Sequence, residues 1–216
     1  MHSWDLSSRE AAALQGVLAA RIRGGSLPRV RTVLGCDVSY CRSSGSFRAS
    51  VVLLSFPTME PVGSWTRKGE TAFPYVPGLL SFREIPPLLP LLEKVPAPDL
   101  IIVDGHGIAH PRGVGLASHI GLITGLPTIG CAKRRLIGEY TDPSAEAGAR
   151  EPLTVSGHPA GFVLRSKRSC RPIFVSPGHL LDPEEALRGT VMCLRGYRLP
   201  EPTRLADRLT RGLPVK

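Results

Sequence analysis

The run Leu100-Ile101-Ile102-Val103 ends on Asp104. Four apolar residues, set off by Pro96 and Pro98 and by Gly105, read as a strand buried on both faces, the kind found at the centre of a parallel sheet. A carboxylate at the carboxyl end of such a strand stands where open α/β sheets place their ligands. Left unpaired it is costly to bury, so it needs a cation, a proton or hydrogen bonds. This one segment points to an α/β chain with a site at a strand end.

The segments around it supply the rest of a sheet. Val30–Tyr40, Arg48–Phe56 and Val62–Glu70 read as strands, the third more polar and nearer an edge. Ser43-Ser44-Gly45-Ser46 is a turn, and the short connections make the three an antiparallel meander. Before them, the capping box Ser7-x-x-Glu10 opens a helix through Ala11–Arg23, stopped by Gly24-Gly25-Ser26. After them, Phe73–Gly78 is an extended loop, because Pro74, Pro77 and Gly78 forbid a helix. Leu79–Lys94 reads as a helix that Pro86, Pro87 and Pro90 kink or interrupt. Gly115–Thr124 reads as a helix and Pro127–Cys131 as a second buried strand. Arg134–Pro159 is polar and irregular. Ala160–Ser166 and Pro172–Ser176 read as a strand pair across a basic turn, and Pro183–Arg195 and Pro202–Arg211 as helices. No repeat or linker divides the chain, so residues 1–216 are read as one domain.

Composition narrows the function. The 216 residues carry 27 Lys and Arg against 18 Asp and Glu, a formal charge of +9. The excess is uneven, +2 over residues 1–108 and +7 over 109–216, and Arg outnumbers Lys 22 to 5. That balance suggests a polyanionic partner gripped by planar guanidinium forks. No apolar run approaches a membrane span, and Met1–Gln15 carries early acids rather than a signal peptide's apolar core. Five cysteines, an odd number without a CxxC pair, argue against a disulfide framework or a zinc ribbon and favour a reducing cytoplasm. A monomer is the default expectation.

The acids carry the chemistry. Asp37 interrupts Val33-Leu34-Gly35-Cys36 much as Asp104 ends its strand, and two acids at neighbouring strand ends repel unless a divalent ion lies between them. Oxygen ligands favour Mg²⁺ or Mn²⁺ over zinc. Glu84, in the first turns of the helix after the Pro-rich loop, is a third candidate, although Ser81-x-x-Glu84 also reads as a capping box. His106 and His110 have an HxxxH spacing, but Gly105, Gly107 and Pro111 keep them off a helix and so away from zinc. Gly105-His106-Gly107 lacks the third glycine of a dinucleotide fingerprint, and no P-loop is present, so no nucleotide cofactor is expected. Lys133-Arg134-Arg135 follows the second buried strand and can hold phosphate. Arg165–Arg171 reads as a second cluster for nucleic-acid backbone.

Longer motifs then point to a family. Gly35–Tyr40, Pro74–Glu84, Asp104–Arg112, Gly130–Leu136 and Gly196–Arg204 together resemble the motifs of endonuclease V, the deoxyinosine 3′ endonucleases, and the resemblance spans roughly residues 8–211. It implies a ribonuclease H-like fold: a central mixed sheet, three antiparallel strands followed by parallel ones, flanked by helices. It implies hydrolysis with Mg²⁺, or Mn²⁺ in its place, of the second phosphodiester bond 3′ of a deaminated purine, leaving 3′-hydroxyl and 5′-phosphate ends. By resemblance Asp37 and Asp104 are the chief metal ligands, Glu84 a further catalytic carboxylate that holds a second ion or orients water, and Lys133 the catalytic lysine. Asp207 matches a position where family members carry Asp or His.

Pro74, Tyr75, Val76 and Pro77 match the family's strand-separating wedge, and a rigid loop tipped by a Tyr is suited to replacing a stacked base. Gly78, Leu80, Gly105, His110, Gly115 and Leu136 match its base pocket, where glycines would let the main chain approach a flipped base. His119 matches a position expected near the scissile region. The His-Gly-Ile-x-His-Pro-Arg form and the short tail are similar to the prokaryotic branch, associated with DNA repair, with inosine-containing RNA as a further substrate to test. Two alternatives remain: a ribonuclease H-like structure-specific nuclease, and a module that binds inosine without cutting.

Overall fold

A computed structural model describes residues 2–41 and 45–215. The turn expected at Ser43 and Ser44 lies outside them. Thirteen elements are described: α1 (Ser8–Ala19), β1 (Thr32–Tyr40), β2 (Ser46–Ser55), β3 (Pro61–Glu70), α2 (Leu80–Leu92), β4 (Leu100–Val103), α3 (Leu116–Thr124), β5 (Thr128–Ala132), β6 (Arg150–Val155), β7 (His158–Leu164), β8 (Ile173–His179), α4 (Pro183–Met192) and α5 (Glu201–Thr210).

The strands form a single sheet of eight in the order β3-β2-β1-β4-β5-β8-β7-β6. β1, β2 and β3 are an antiparallel meander, and β1, β4 and β5 run parallel. β8 then returns antiparallel to β5 and carries β7 and β6 as a second meander. β4 is fully buried along its four residues. Ile102 and Ile129 pack with Val33, Leu100, Leu205 and Ala206 on the face that α4 and α5 cover. Ile101 and Val103 pack with Leu34, Ile85, Leu88 and Ile120 on the face of α2 and α3. Each such side chain contributes about 1.5–3 kcal/mol of burial, and alternating faces is what a central strand requires.

Three sequence expectations change. α2 runs unbroken through Pro86, Pro87 and Pro90. Pro87 removes the amide that would bond the Arg83 carbonyl, and the Tyr40 hydroxyl on β1 donates to that oxygen instead at 2.9 Å. Burial of Phe82, Ile85, Leu88 and Leu91 holds the helix down. The polar stretch before Pro159 also contains a strand, β6. It lies at the sheet edge, has only Leu153 buried and carries Pro152, which an edge strand tolerates because one side of its ladder is unpaired. At the other end of the chain the Ser7–Glu10 capping box is present, but α1 stops at Ala19, short of Arg23. There the backbone is drawn to the end of β8, where Leu180 N–H donates to the Arg23 carbonyl.

Two placements define the site. β1 outruns β4: Cys36 pairs with Val103, so Asp37 and Asp104 stand side by side where the parallel pairing ends. α5 lies hard against β1, because Gly35 has no side chain; a Cβ there would come within 2.0 Å of the Pro202 carbonyl oxygen. This approach sets Asp207 and Thr210 above Asp37.

Candidate active site

Asp37, on β1, accepts a 2.8 Å hydrogen bond from the Thr210 hydroxyl. Burial, and then the charge of Asp104, push its pKa up to about 6. Asp104 is more buried, which raises its pKa, and the Lys133 ammonium 2.5 Å away offsets only part of that. Lys133 also reaches Asp207 at 3.1 Å. Burial works against the Lys133 charge, but the two carboxylates outweigh it and hold its pKa above the ordinary value. Lys133 is thus an ammonium and not a base.

Glu84 is 8% exposed, and among the described residues no ion pair reaches it. Burial, then Asp37 and Asp104, raise its pKa well above normal. It is not part of a capping box: α2 begins after Leu79 with no side-chain cap, and the Ser81 hydroxyl lies 3.2 Å from His119 Nδ1 instead. Asp104 raises the pKa of Asp37, and both raise that of Glu84; crowded carboxylates of this kind are stabilised by a bound cation, and all-oxygen donors suit hard ions. Among the described residues no group of three or more His, Cys, Asp or Glu side chains is drawn together tightly enough to hold an ion.

Beside the acids lies a pocket of about 270 Å³. Tyr75, Val76, Pro77, Gly78 and Leu80 line one side, and His106, His110, Gly115, Arg134 and Leu136 the other. Tyr75 is 71% exposed, standing clear of the protein. Pro74 and Gly105 are outside the lining. His119 is elsewhere: it is fully buried on α3, stacked on Trp4, with its ring nitrogen 2.8 Å from that of His2.

The pocket wall is braced by main-chain ties. The Arg112 N–H donates to His110 Nδ1, which leaves Nε2–H to donate to the Gly78 carbonyl at 3.0 Å. Burial lowers the His110 pKa to about 4, so this neutral tautomer persists. Arg112 donates to the same carbonyl at 2.7 Å and to Gln15 of α1. The glycines of this loop answer to the protein's own backbone: a Cβ on Gly107 would lie 1.9 Å from the Pro177 carbonyl oxygen, and one on Gly115 2.3 Å from that of His106.

Sequence reasoning missed three supports. Thr210 holds Asp37. Arg211 pairs with Asp207 at 3.0 Å. Arg198 donates to the carbonyls of Lys133, Pro172 and Arg171, fixing the base of the lysine. Only Arg198 had a signal, standing inside a quoted motif. Arg165 is removed from the expected backbone-gripping cluster, since its guanidinium is spent on the carbonyls of Pro143, Ser144 and Cys170.

The chain matches the family Endonuclease V over residues 18–208. An endonuclease V from Dehalococcoides mccartyi is 48% identical over 208 residues, covering 95% of this chain and 93% of that protein. The crystal structure of the Streptomyces avermitilis endonuclease V aligns with a TM-score of 0.90 at 42% identity, over 97% of this chain and 94% of that one. The endonuclease V of Ciona intestinalis, solved in complex with a 23mer DNA containing an inosine followed by a ribo-adenosine, aligns with a TM-score of 0.82 at 28% identity, over 96% and 98% of the two chains. The sheet and the helices that flank it are therefore a ribonuclease H-like fold, and the chain belongs to the endonuclease V family.

Proposed function

We propose that the protein is a metal-dependent endodeoxyribonuclease that takes a deaminated purine into the pocket and hydrolyses the second phosphodiester bond 3′ of it. The carrying observation is the adjacency of pocket and acids. His106 follows Asp104 by two residues and Arg134 follows Lys133 directly, so the loops that carry Asp104 and its partner Lys133 also wall the pocket.

The pocket offers a reason to prefer hypoxanthine. α2 starts without a side-chain cap, which leaves the first-turn N–H groups of Leu80 and Ser81 as donors, and both residues line the pocket. Hypoxanthine presents a carbonyl oxygen where adenine presents an amino group. Donors at that place favour the first and leave the second unpaired. The exposed Tyr75, stiffened by Pro74 and Pro77, takes the stacking place of the flipped base. The Gly78 carbonyl does not read the base, since His110 and Arg112 already occupy it.

Asp37, Asp104 and Glu84 would hold Mg²⁺, or Mn²⁺ in its place. When bound, the ion supplies Lewis-acid polarisation of the phosphate and lowers the pKa of water. Lys133 sets its positive charge against the phosphate oxygens and, with Arg198 fixing its main chain, holds that charge in one place. Asp207 shares Lys133 with Asp104 and keeps it from collapsing onto a single carboxylate. Thr210 fixes the Asp37 carboxylate for its role.

The test compares deoxyinosine and deoxyadenosine at one position of an otherwise identical strand, as DNA and as RNA. The expected result is cutting of the inosine DNA only, one nucleotide past the lesion, with a 3′ end that a polymerase extends and a 5′ phosphate that a ligase accepts. Equal cutting of both bases would move the reading to a structure-specific nuclease. Preferred cutting of the RNA would make inosine-containing RNA the substrate.

A further inference from the structure

A second groove, of about 460 Å³, opens at the far side of the acids from the base pocket. Its lining includes Ser39, Arg48, Lys68, Thr210 and Arg211. Strand register explains the gathering. Asp37, Ser50 and Thr66 form one row across β1, β2 and β3, and Ser39, Arg48 and Lys68 form the next row on the same face. The two rows are about 7 Å apart, two residues of strand rise. That is the order of the spacing between successive phosphates in an extended strand.

The groove is joined to the acids. The Ser39 hydroxyl donates to the Thr210 carbonyl, Thr210 holds Asp37, and Arg211 pairs with Asp207. Arg48 is half-buried with its guanidinium against Gly212, and among the described residues no carboxylate pairs with it or with Lys68. A cation half removed from water without a partner is an unfavourable arrangement until an anion arrives, and a guanidinium fork matches phosphate.

We propose that this groove is a phosphate subsite that holds the strand on the 3′ side of the cut. This rests on the proposed function, which puts the lesion in the pocket and the cut 3′ of it. The pocket is walled by the loops after β4 and β5, the groove by β1, β2 and β3, and the acids lie between. A strand anchored by its base in the pocket therefore leaves the acids over Arg48 and Lys68, past the Arg211–Asp207 pair. The same cations offset the repulsion that the carboxylate cluster exerts on the departing backbone.

The experiment is fluorescence polarisation in chelator, where nothing is cut, on inosine duplexes whose 3′ arm either continues or stops just past the cut. The wild type should bind the long arm about tenfold tighter. Arg48→Gln with Lys68→Gln should remove that difference while leaving short-arm affinity as it was, and should lower the salt slope by about 1.5–2. Lys68→Glu alone, on an exposed strand, should act in the same direction if the double variant folds poorly. Equal losses on both arms, or dependence on the 5′ arm instead, would overturn the subsite. If the wild type fails to distinguish inosine from adenine, the base-pocket reading falls. The subsite is then judged on lesion-free strand, where an unchanged salt slope in the double variant would overturn it too.

Discussion

At the scale of residues, the account turns on carboxylates that are unfavourable until paired. Asp37 titrates near 6 in the folded protein against an ordinary value of 3.8. Between those values the folded state keeps a proton that the unfolded chain has released, so stability falls as pH rises through about 4 to about 6 and the penalty persists above. Asp37→Asn removes it. In chelator, the variant's gain in melting temperature over the wild type should be larger near neutral pH than below about pH 4, and saturating Mn²⁺ should shrink it, as melts at both pH values will show. A gain independent of pH would contradict the burial of an ionised Asp37. His110 gives the opposite sign: its depressed pKa makes its contribution present above the ordinary value near 6.5 and lost as pH falls toward about 4. Tyr75 is different again. Tyr75→Ala should change stability by no more than about 0.5 kcal/mol, since the ring is mostly in solvent. It should weaken binding to a paired inosine duplex by about 1–3 kcal/mol, and weaken binding to a pre-opened strand less. Asp37 and Asp104 were legible because an acid inside an apolar strand has few bland explanations. Thr210 and Arg211 were not, because polar residues at a helix end are common and only the approach of α5 to β1 gives them a task.

At the scale of elements, α2 shows how far local rules reach. Its three prolines signal a break, yet the helix continues because Tyr40, from a different element, satisfies a carbonyl that proline leaves open. Tyr40→Phe should therefore lower stability by about 1–2 kcal/mol, measured by urea unfolding, with metal affinity reduced as well because Glu84 follows Arg83 in the same turn. No loss on either readout would show that water replaces the hydroxyl. The strands β1, β2, β4 and β5 were legible from apolar content alone. β6 was not, because an edge strand with a proline and one buried side chain has little apolar signal to read.

At the scale of the whole molecule, the sheet brings together what the sequence separates. Asp37, Glu84, Asp104, Lys133 and Asp207 span 171 residues of chain, and their convergence follows from three facts of packing: parallel pairing of β1 with β4, the buried start of α2, and the glycine that admits α5. The motifs named the family and most of these residues, but not the ties among them. Lys133→Met should separate charge from packing: cutting should fall by about 10²–10³-fold while lesion affinity in chelator changes little, because the lysine faces the acids and not the pocket. The central claim is that buried carboxylates and a divalent ion cut beside a captured deaminated base. Its most direct measurement is an end-labelled duplex with a single deoxyinosine, run with Mg²⁺ and with chelator, for the wild type and Asp104→Ala. The account predicts one nick, one nucleotide past the inosine, that needs both Mg²⁺ and Asp104. A nick that persists in chelator or in Asp104→Ala would contradict it.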